Sequence, residues 1–172
     1  AGANRPIDVA DFARVNTDLT RMLCKAIRAA GSAKLLIFSS SIQAEHDNPY
    51  GQSKLAAELE VEDFARETGN PVVVYRLPGV FGKWCKPNYN SVVATFCYNN
   101  AHRLPIQVND SVTVLHLVYI DDLINEFLRV LDNVQFGFVW GKVDNIYSIT
   151  LDKLAEQITA FQNCRTNLLS ER

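Results

Sequence analysis

Two short apolar runs on either side of an amphipathic segment constrain the fold of this chain. The runs, Lys34–Phe38 and Val72–Leu77, are rich in β-branched and aromatic residues. Between them, from Tyr50 to about Glu67, apolar residues recur at helical spacing, and the helix breakers Gly69-Asn70-Pro71 follow. Near-continuous apolar strands are typical of a parallel sheet that is covered on both faces. The sequence therefore predicts a βαβ unit and an α/β fold.

The same signals predict the other elements. Apolar residues at helical spacing from Val9 to Ala30, followed by Gly31, predict a helix with a glycine at its end. We expect the first strand to be buried, to end in Ser39-Ser40-Ser41 and to lead into a polar loop over Ile42–Pro49. The later elements expected are a loop over Pro78–Asn90, helices over Ser91–His102, Asp121–Asp132 and Leu151–Phe161, and strands over Val112–Val118 and Phe136–Val139.

Composition excludes several classes of protein. With 48% hydrophobic and 21% charged residues and a net charge of -2, the 172 residues match a soluble globular protein without a surface for nucleic acid. No apolar run reaches the roughly 18 residues of a membrane span, and we identify no signal peptide. The three histidines lack metal-ligand spacing, so no metal site is expected. The dispersed cysteines suggest a reduced, cytoplasmic protein; they are Cys24, Cys85, Cys97 and Cys164.

A tyrosine and a lysine at the start of the second predicted helix could carry acid/base chemistry. Tyr50 and Lys54 are four residues apart and therefore share one helical face. A nearby cation lowers the pKa of a phenol from about 10, so the tyrosine could exchange a proton with a carbonyl or an alcohol. About 0.2 such pairs are expected by chance in a chain of this composition, so the pair alone is weak support.

Ser41 strengthens this interpretation through its position. It lies at the C-terminal end of the first strand, and ligands of open α/β sheets bind outside the carboxyl ends of the strands. Its hydroxyl could hydrogen-bond the substrate oxygen that Tyr50 protonates. The alternative for Ser39–Ser41 is a simple polar loop.

Four motifs in order resemble those of the extended short-chain dehydrogenases/reductases, which act on nucleotide-activated sugars. They are Phe38-Ser39-Ser40-Ser41, Tyr50-x-x-x-Lys54, Tyr75-Arg76-Leu77-Pro78-Gly79-Val80-Phe81-Gly82 and Val118-Tyr119-Ile120-Asp121-Asp122. Further stretches, such as Asp47-Asn48-Pro49-Tyr50-Gly51, resemble the bacterial capsular-polysaccharide enzymes that reduce a UDP-2-acetamido-2,6-dideoxy-hexos-4-ulose.

The resemblance implies a domain organisation. It predicts a partial Rossmann-like, doubly wound parallel sheet plus a small C-terminal substrate-binding region. Residues 1–82 would be the second half of an NAD(P)-binding domain with the catalytic Ser, Tyr and Lys. Residues 83–172 would form a mixed α/β region for a UDP-sugar, interleaved with that core.

The resemblance also implies catalytic roles. Tyr50 would donate a proton to the C4 ketone oxygen as hydride arrives from a reduced nicotinamide. Lys54 would lower the pKa of Tyr50 and hold the nicotinamide ribose. Ser41 would bind the same ketone oxygen, and Asn16 would support the proton path.

The cofactor that the resemblance implies is NADP(H), with NAD as the alternative. Its nicotinamide end would contact the turn Pro78, Gly79 and Val80, where Gly79 replaces the usual asparagine of the family. No Gly-rich turn that could hold a pyrophosphate occurs in this sequence. Because residues 1–6 resemble the segment after the fourth strand of these enzymes, we expect the first half of the domain to be missing and this chain alone to bind NADPH poorly.

The loop over residues 83–90, which contains cations, aromatics and amides, is the candidate binding segment for the UDP-sugar. Such a set could hold a pyrophosphate and stack on a uracil, although a solvated loop is equally compatible with it. Many relatives carry an arginine where this chain has Leu115, so Arg76 is a further candidate for the diphosphate. We expect Asp121 or Asp122 to cap the following helix. The candidate substrate-binding residues are Lys83, Lys86, Asn88, Tyr89, Asn90 and Arg103.

One departure from the sequence pattern of the dehydratases reduces the number of reaction types that the resemblance implies. Sugar-nucleotide 4,6-dehydratases carry an acidic pair just after the catalytic Ser or Thr, where this chain has Ile42-Gln43. The resemblance therefore implies an NADPH-dependent reductase of a UDP-4-keto-6-deoxy-N-acetylhexosamine in capsular or surface polysaccharide biosynthesis. Two alternatives stay open: a nucleotide-sugar C4 epimerase, and a non-catalytic fragment. The family's four-helix dimer interface implies a homodimer through the helices over 9–30 and 50–67.

Overall fold

The structure, a computed structural model, describes residues 2–31 and 33–162, which pack as two units. The first unit contains the described residues up to 78 and residues 122–144. The second contains residues 79–121 and the described residues from 145 onward. The chain thus contributes two segments to each unit. The assignment of residues 1–82 to cofactor binding and of 83–172 to substrate binding stays a prediction.

A three-stranded parallel sheet forms the centre of the first unit. Its order is β1 (Leu36–Ser41), β2 (Val72–Leu77) and β5 (Phe138–Trp140). The central strand β2 is buried except for Arg76, as its apolar sequence predicts. The parallel pairing of β1 with β2 confirms the predicted α/β fold. Ser41 of β1 lies opposite Leu77 of β2, so both strands end at the same edge.

A long helix connects β1 to β2, as expected for a βαβ unit. It is α3 (Pro49–Thr68), which begins after the Asn48 cap and ends at Gly69 in the left-handed conformation, with φ of 68°. Proline at the first helical position and glycine after the last are the residues that these positions favour. Phe64 and Val61 of α3 pack with Val72 and Val74 of β2 in the core.

The first helical region differs from the prediction in the face that it buries. It consists of α1 (Ala10–Phe12), a π-helical segment (Ala13–Asp18) and α2 (Leu19–Ala29), which follow one another without a break. The leucines of the expected apolar stripe, Leu19 and Leu23, are 48% and 46% exposed. Polar residues are buried instead, because they find partners: the Thr17 hydroxyl donates to the Ser53 carbonyl at 3.1 Å.

Strand β1 runs to Ser41, as expected, because its backbone pairs with β2 up to Leu77. Three other strand predictions need correction. β1 is only partly buried, since it lies at the edge of the described sheet. Part of the expected loop after Pro78 forms β3 (Gly79–Phe81), and a strand that was not predicted, β6 (Tyr147–Thr150), follows residue 146. Strand pairing with distant residues overrides weak local preferences here.

The second unit contains its own sheet and two helices. Strand β4 (Val114–Tyr119) pairs parallel with β3 and antiparallel with β6. The helices are α4 (Val92–Ala101), which Ser91 caps, and α6 (Leu151–Gln162). They pack through Phe96, Leu154 and Ile158. A helix α5 (Ile120–Asp132) follows β4 directly.

Two absences concern only the described part of the chain. Within residues 2–31 and 33–162, no helix has the length and apolar character needed to cross a bilayer. In the same residues, no group of three His, Cys, Asp or Glu side chains could hold a metal ion. Three cysteines, Cys24, Cys85 and Cys97, are free thiols, and Cys164 lies outside the described residues.

The core of the first unit predicts the effect of removing a buried ring. Phe64 is 1% exposed, whereas Phe136 in the same unit is 74% exposed. We expect Phe64→Ala to lower the free energy of unfolding by about 3–5 kcal/mol, through lost burial and a cavity. The matched control Phe136→Ala should cost less than about 1 kcal/mol in the same urea titration. Equal losses would contradict the described core.

Candidate active site

The predicted catalytic residues of the first unit lie on neighbouring elements at the carboxyl edge of its sheet. Ser41 ends β1, and Tyr50 lies in the first turn of α3. The Asn48 side chain accepts a hydrogen bond from the Gly51 amide at 2.8 Å, which fixes the start of the helix. Gly51 allows a close approach, because a Cβ there would collide with the backbone oxygens of Gln43 and His46. The half-buried Tyr50 ring packs against Phe12, with ring centroids 5.7 Å apart.

Lys54 is a buried ammonium one helical turn after Tyr50. It is 6% exposed, and its Nζ donates to the Ser39 carbonyl at 2.8 Å. The same nitrogen lies 4.9 Å from the centroid of the Phe38 ring. Burial lowers the pKa of Lys54 below its usual value, and the Glu58 carboxylate partly offsets this effect. The predicted action of Lys54 on Tyr50 stays a prediction.

Ser41 retains a proton that it could donate to a ligand. Its Oγ accepts a hydrogen bond from the Gln43 amide at 3.1 Å, which caps the short 3-10 helix Ile42–Glu45. A serine hydroxyl has one proton to donate, and no described acceptor takes it. The geometry is therefore compatible with the predicted hydrogen bond to a substrate oxygen.

The amide of Asn16 connects a backbone segment to α3. Asn16 is 3% exposed in the π-helical segment, a kind of local geometry that is frequent at functional sites. Its Oδ1 accepts from the Ala3 amide at 2.8 Å, and its Nδ2 donates to the Ala3 carbonyl at 3.0 Å. The same Nδ2 donates to Ser53 Oγ at 2.9 Å. The side chain thus fixes Ala3 beside α3, and its proton-path role stays a prediction.

Glu58, which the sequence analysis did not single out, binds Arg76 at the centre of this edge. Arg76 Nη2 donates to Glu58 Oε2 at 2.7 Å and Nε donates to Oε1 at 3.0 Å. Glu45 accepts from Arg76 Nη1 at 2.8 Å, and the guanidinium lies 4.8 Å from the Trp140 ring centroid. Arg76 is therefore held by two carboxylates, which disfavours the diphosphate role suggested for it. Glu58 could have been identified from the sequence, because it is an acidic residue four positions after Lys54 on the same helical face.

The predicted substrate loop lies in the second unit, where an ion pair, a cation–ring contact and a hydrogen bond hold part of it. Lys83 Nζ contacts Asp121 Oδ2 at 2.7 Å. Because α5 begins at Ile120, Asp121 lies inside the first turn and is not the predicted cap. Lys86 Nζ lies 5.7 Å from the Tyr89 ring centroid, and the Asn88 amide donates to Thr95 Oγ1 at 2.9 Å.

Not all predicted substrate residues come together in the second unit. A cavity of about 820 Å³ lies between the loop, β4, β6 and the helices α4 and α6. Its volume suits a ligand of nucleotide size. Arg103 borders a different hollow, of about 520 Å³, at the end of α4. The larger cavity is mostly apolar, and its lining includes Phe81, Trp84, Cys85, Tyr98, Tyr119 and Tyr147.

Comparison with known proteins identifies the family. Residues 3–146 match the NAD dependent epimerase/dehydratase family, and the chain belongs to this family. The chain is 46% identical, over all of its 172 residues, to the UDP-2-acetamido-2,6-beta-L-arabino-hexul-4-ose reductase of Pseudomonas aeruginosa, of which it spans 46%. The resemblance that the motifs indicated is thereby confirmed.

Solved structures agree with the described fold. The capsular polysaccharide assembling protein CapF of Staphylococcus aureus has a TM-score of 0.78 and 40% identity, covering 85% of this chain and 41% of that one. The structure of MoeE5 in complex with UDP-glucuronic acid and NAD has a TM-score of 0.81 at 17% identity, covering 91% of this chain and 57% of that one. This second likeness supports the Rossmann-like fold alone. The chain thus spans less than half the length of the Pseudomonas and Staphylococcus relatives.

The buried Lys54 predicts how stability depends on pH. Because its pKa is lower in the folded protein than the usual 10.5, the unfolded chain holds the proton more strongly at alkaline pH. The wild type should therefore gain stability relative to Lys54→Met as the pH rises towards 10.5. Urea titrations at a series of pH values measure this difference. A difference that stays constant with pH would contradict the lowered pKa of Lys54.

Proposed function

We propose that the protein containing these residues is an NADPH-dependent reductase of a UDP-2-acetamido-2,6-dideoxy-hexos-4-ulose in capsular or surface polysaccharide biosynthesis. The observation that carries this proposal is the 46% identity, over all 172 residues, to the Pseudomonas aeruginosa reductase. The likeness to CapF, a capsular polysaccharide assembling protein, supports the same proposal.

The chemistry that we assign to the first unit is the protonation of a ketone. Ser41 would donate its free hydroxyl proton in a hydrogen bond to the C4 ketone oxygen, and Tyr50 would transfer its phenolic proton to the same oxygen. The bound dinucleotide would supply the hydride that adds to the ketone carbon. The alkoxide that develops becomes an alcohol, and Tyr50 recovers its proton from solvent.

The residues of the first unit are compatible with a dinucleotide. The Lys54 ammonium has three protons, of which the Ser39 carbonyl accepts one, so two remain for the hydroxyls of a ribose. Pro78, the last residue of this segment of the first unit, would contact the nicotinamide end, as the resemblance implies. Gly79 and Val80, to which the resemblance gives the same role, belong to the second unit. Gly79 has no side chain to contribute, so its contacts would come from the backbone.

We assign the UDP portion to the loop of the second unit. Lys86 and Tyr89 offer a cation beside an aromatic ring, which suits a phosphate and a uracil. Lys83 would exchange its partner Asp121 for a phosphate or contact both. Asn88, Asn90 and Arg103 complete the proposed set. We place the protein in the cytoplasm, since the described cysteines are free thiols, as is usual in a reducing compartment.

The proposed reduction predicts a strong effect of removing one hydroxyl. In the full-length protein, Tyr50→Phe should lower kcat for NADPH oxidation with the UDP-keto-sugar by about 100-fold or more, because the proton donor is lost. The matched control is Tyr75→Phe, which removes the hydroxyl that donates to Glu126 at 2.6 Å. The control should retain kcat even though it loses stability. NADPH consumption that does not equal product formation would indicate the epimerase alternative.

We further propose that the protein is a homodimer through the outer faces of α2 and α3. The two helices lie side by side, with Arg21 Nε contacting Glu60 Oε1 at 2.8 Å. Large apolar side chains on these two helices form an exposed patch, and such a patch commonly marks a protein–protein interface. The exposed residues are Leu19, Met22, Leu23, Leu55 and Leu59.

The proposed dimer predicts that one charge on this patch disrupts association. Leu59 and Leu128 are 55% and 52% exposed on different helices. In sedimentation velocity of the full-length protein, Leu59→Glu should shift the population towards monomer, because a carboxylate would be buried in the interface. Leu128→Glu should leave it unchanged. A wild type that sediments as a monomer would contradict the proposal.

A further inference from the structure

The carboxylate of Glu58 joins three elements of the first unit. It is 2% exposed on α3 and accepts a hydrogen bond from the buried Ser40 hydroxyl of β1. It also accepts two N–H groups of Arg76 from β2, at 2.7 and 3.0 Å. Since Ser40 and Arg76 lie opposite each other in the parallel ladder, one side chain fixes the ends of two strands against one helix.

Two consecutive residues of β1 are attached to α3 just before Ser41. The Ser39 carbonyl accepts from Lys54 Nζ at 2.8 Å, and the Ser40 hydroxyl donates to Glu58. Lys54 and Glu58 are four residues apart, so these two contacts are one helical turn from each other along α3. The backbone of Ser41 is therefore positioned by the Lys54–Glu58 pair.

We propose that Glu58 is a positioning residue for the site of Ser41, Tyr50 and Lys54: its carboxylate keeps the buried Lys54 ammonium charged and holds the end of β1 against α3. The catalytic part of this inference rests on the proposed function. The contacts that support it are those of Glu58 with Ser40 and Arg76, together with the buried position of Lys54 one turn away.

The charges around Lys54 come from several elements. On α3, Glu58 is the charge that acts on it. From β2, Arg76 reaches the same carboxylate, and Glu45 of the 3-10 helix binds the far side of that guanidinium. From β1, Lys54 meets only the uncharged Ser39 carbonyl and the Phe38 ring among the contacts described.

Neutralising Glu58 should therefore change the pKa of Lys54 in one direction. An amide at this position no longer offsets the desolvation of Lys54, and Arg76 loses the carboxylate that balances it. Both changes disfavour the charged ammonium, so the pKa of Lys54 should fall further below its usual value. A mere loosening of the fold would expose Lys54 to water and would raise its pKa instead.

The experiment compares Glu58→Gln with Glu45→Gln in the full-length protein. Both variants remove one carboxylate from Arg76, but only Glu58 acts on Lys54. With lysines labelled at Cε with ¹³C, the Lys54 resonance is assigned as the one missing in Lys54→Arg. We expect Glu58→Gln to move its titration midpoint down by about one pH unit or more, and Glu45→Gln to leave it unchanged. An unchanged or raised midpoint in Glu58→Gln would overturn the inference.

The catalytic readout separates this inference from the proposed function. If the protein reduces the UDP-keto-sugar, the alkaline limb of the kcat profile should move down in Glu58→Gln by the same amount as the Lys54 midpoint. A fall in kcat without that shift would overturn the catalytic part. If the protein does not reduce the sugar, the NMR titration still decides the electrostatic role, and the proposed function fails by itself.

A second variant covers the case in which Glu58→Gln does not fold. Glu58→Met/Arg76→Met replaces the buried ion pair by apolar side chains of similar size, a change that is often neutral for stability. It also removes the carboxylate from Lys54, so the midpoint should again fall relative to the wild type. If it stays at the wild-type value, the inference is wrong.

Discussion

The pairing of a buried carboxylate with a buried guanidinium is the constraint on which the first unit depends. Removing Glu58 from water costs several kcal/mol unless opposite charge and hydrogen bonds compensate for it. Arg76 and Ser40 supply both, but only if β1, β2 and α3 keep their present register. The edge where Ser41 and Tyr50 lie is therefore held in place by a polar contact that tolerates little displacement, whereas apolar packing beneath it would accept small shifts.

A second polar contact determines which helical faces remain outside. Asn16 and Thr17 occupy the contact of the first helical region with Ser53 of α3, so that part of the interface contains hydrogen bonds where leucines were expected. The apolar side chains Leu19 and Leu23 remain exposed. The exposed leucines of this helix pair lie on the surface through which we propose that the protein associates.

The sequence predicted those features that local patterns determine. Strand β2 and helix α3 were predicted because an apolar run, apolar residues at helical spacing and the breakers Gly69-Asn70-Pro71 are all local signals. The Tyr50–Lys54 spacing likewise placed two functional groups on one helical face. Strands β3 and β6 were missed because pairing with the distant β4 forms them. The pair Glu58–Arg76 was also missed, because its two residues are separated by 18 positions and meet only in the folded chain.

The groups that surround Ser41 also bear on the type of reaction. The short segment between β1 and α3 contains two carboxylates, and both have partners: Glu45 binds Arg76, and Asp47 accepts from the Gln52 amide. Gln43 lies where the resemblance places an acidic residue of the dehydratases. Its backbone amide donates to Ser41 Oγ, and its side-chain Oε1 accepts from Asn48 Nδ2 at 3.3 Å. Elimination of water needs a base and an acid beside the sugar, whereas reduction of a ketone needs one proton donor. With Tyr50 as the proposed proton donor, the arrangement is consistent with the proposed reduction.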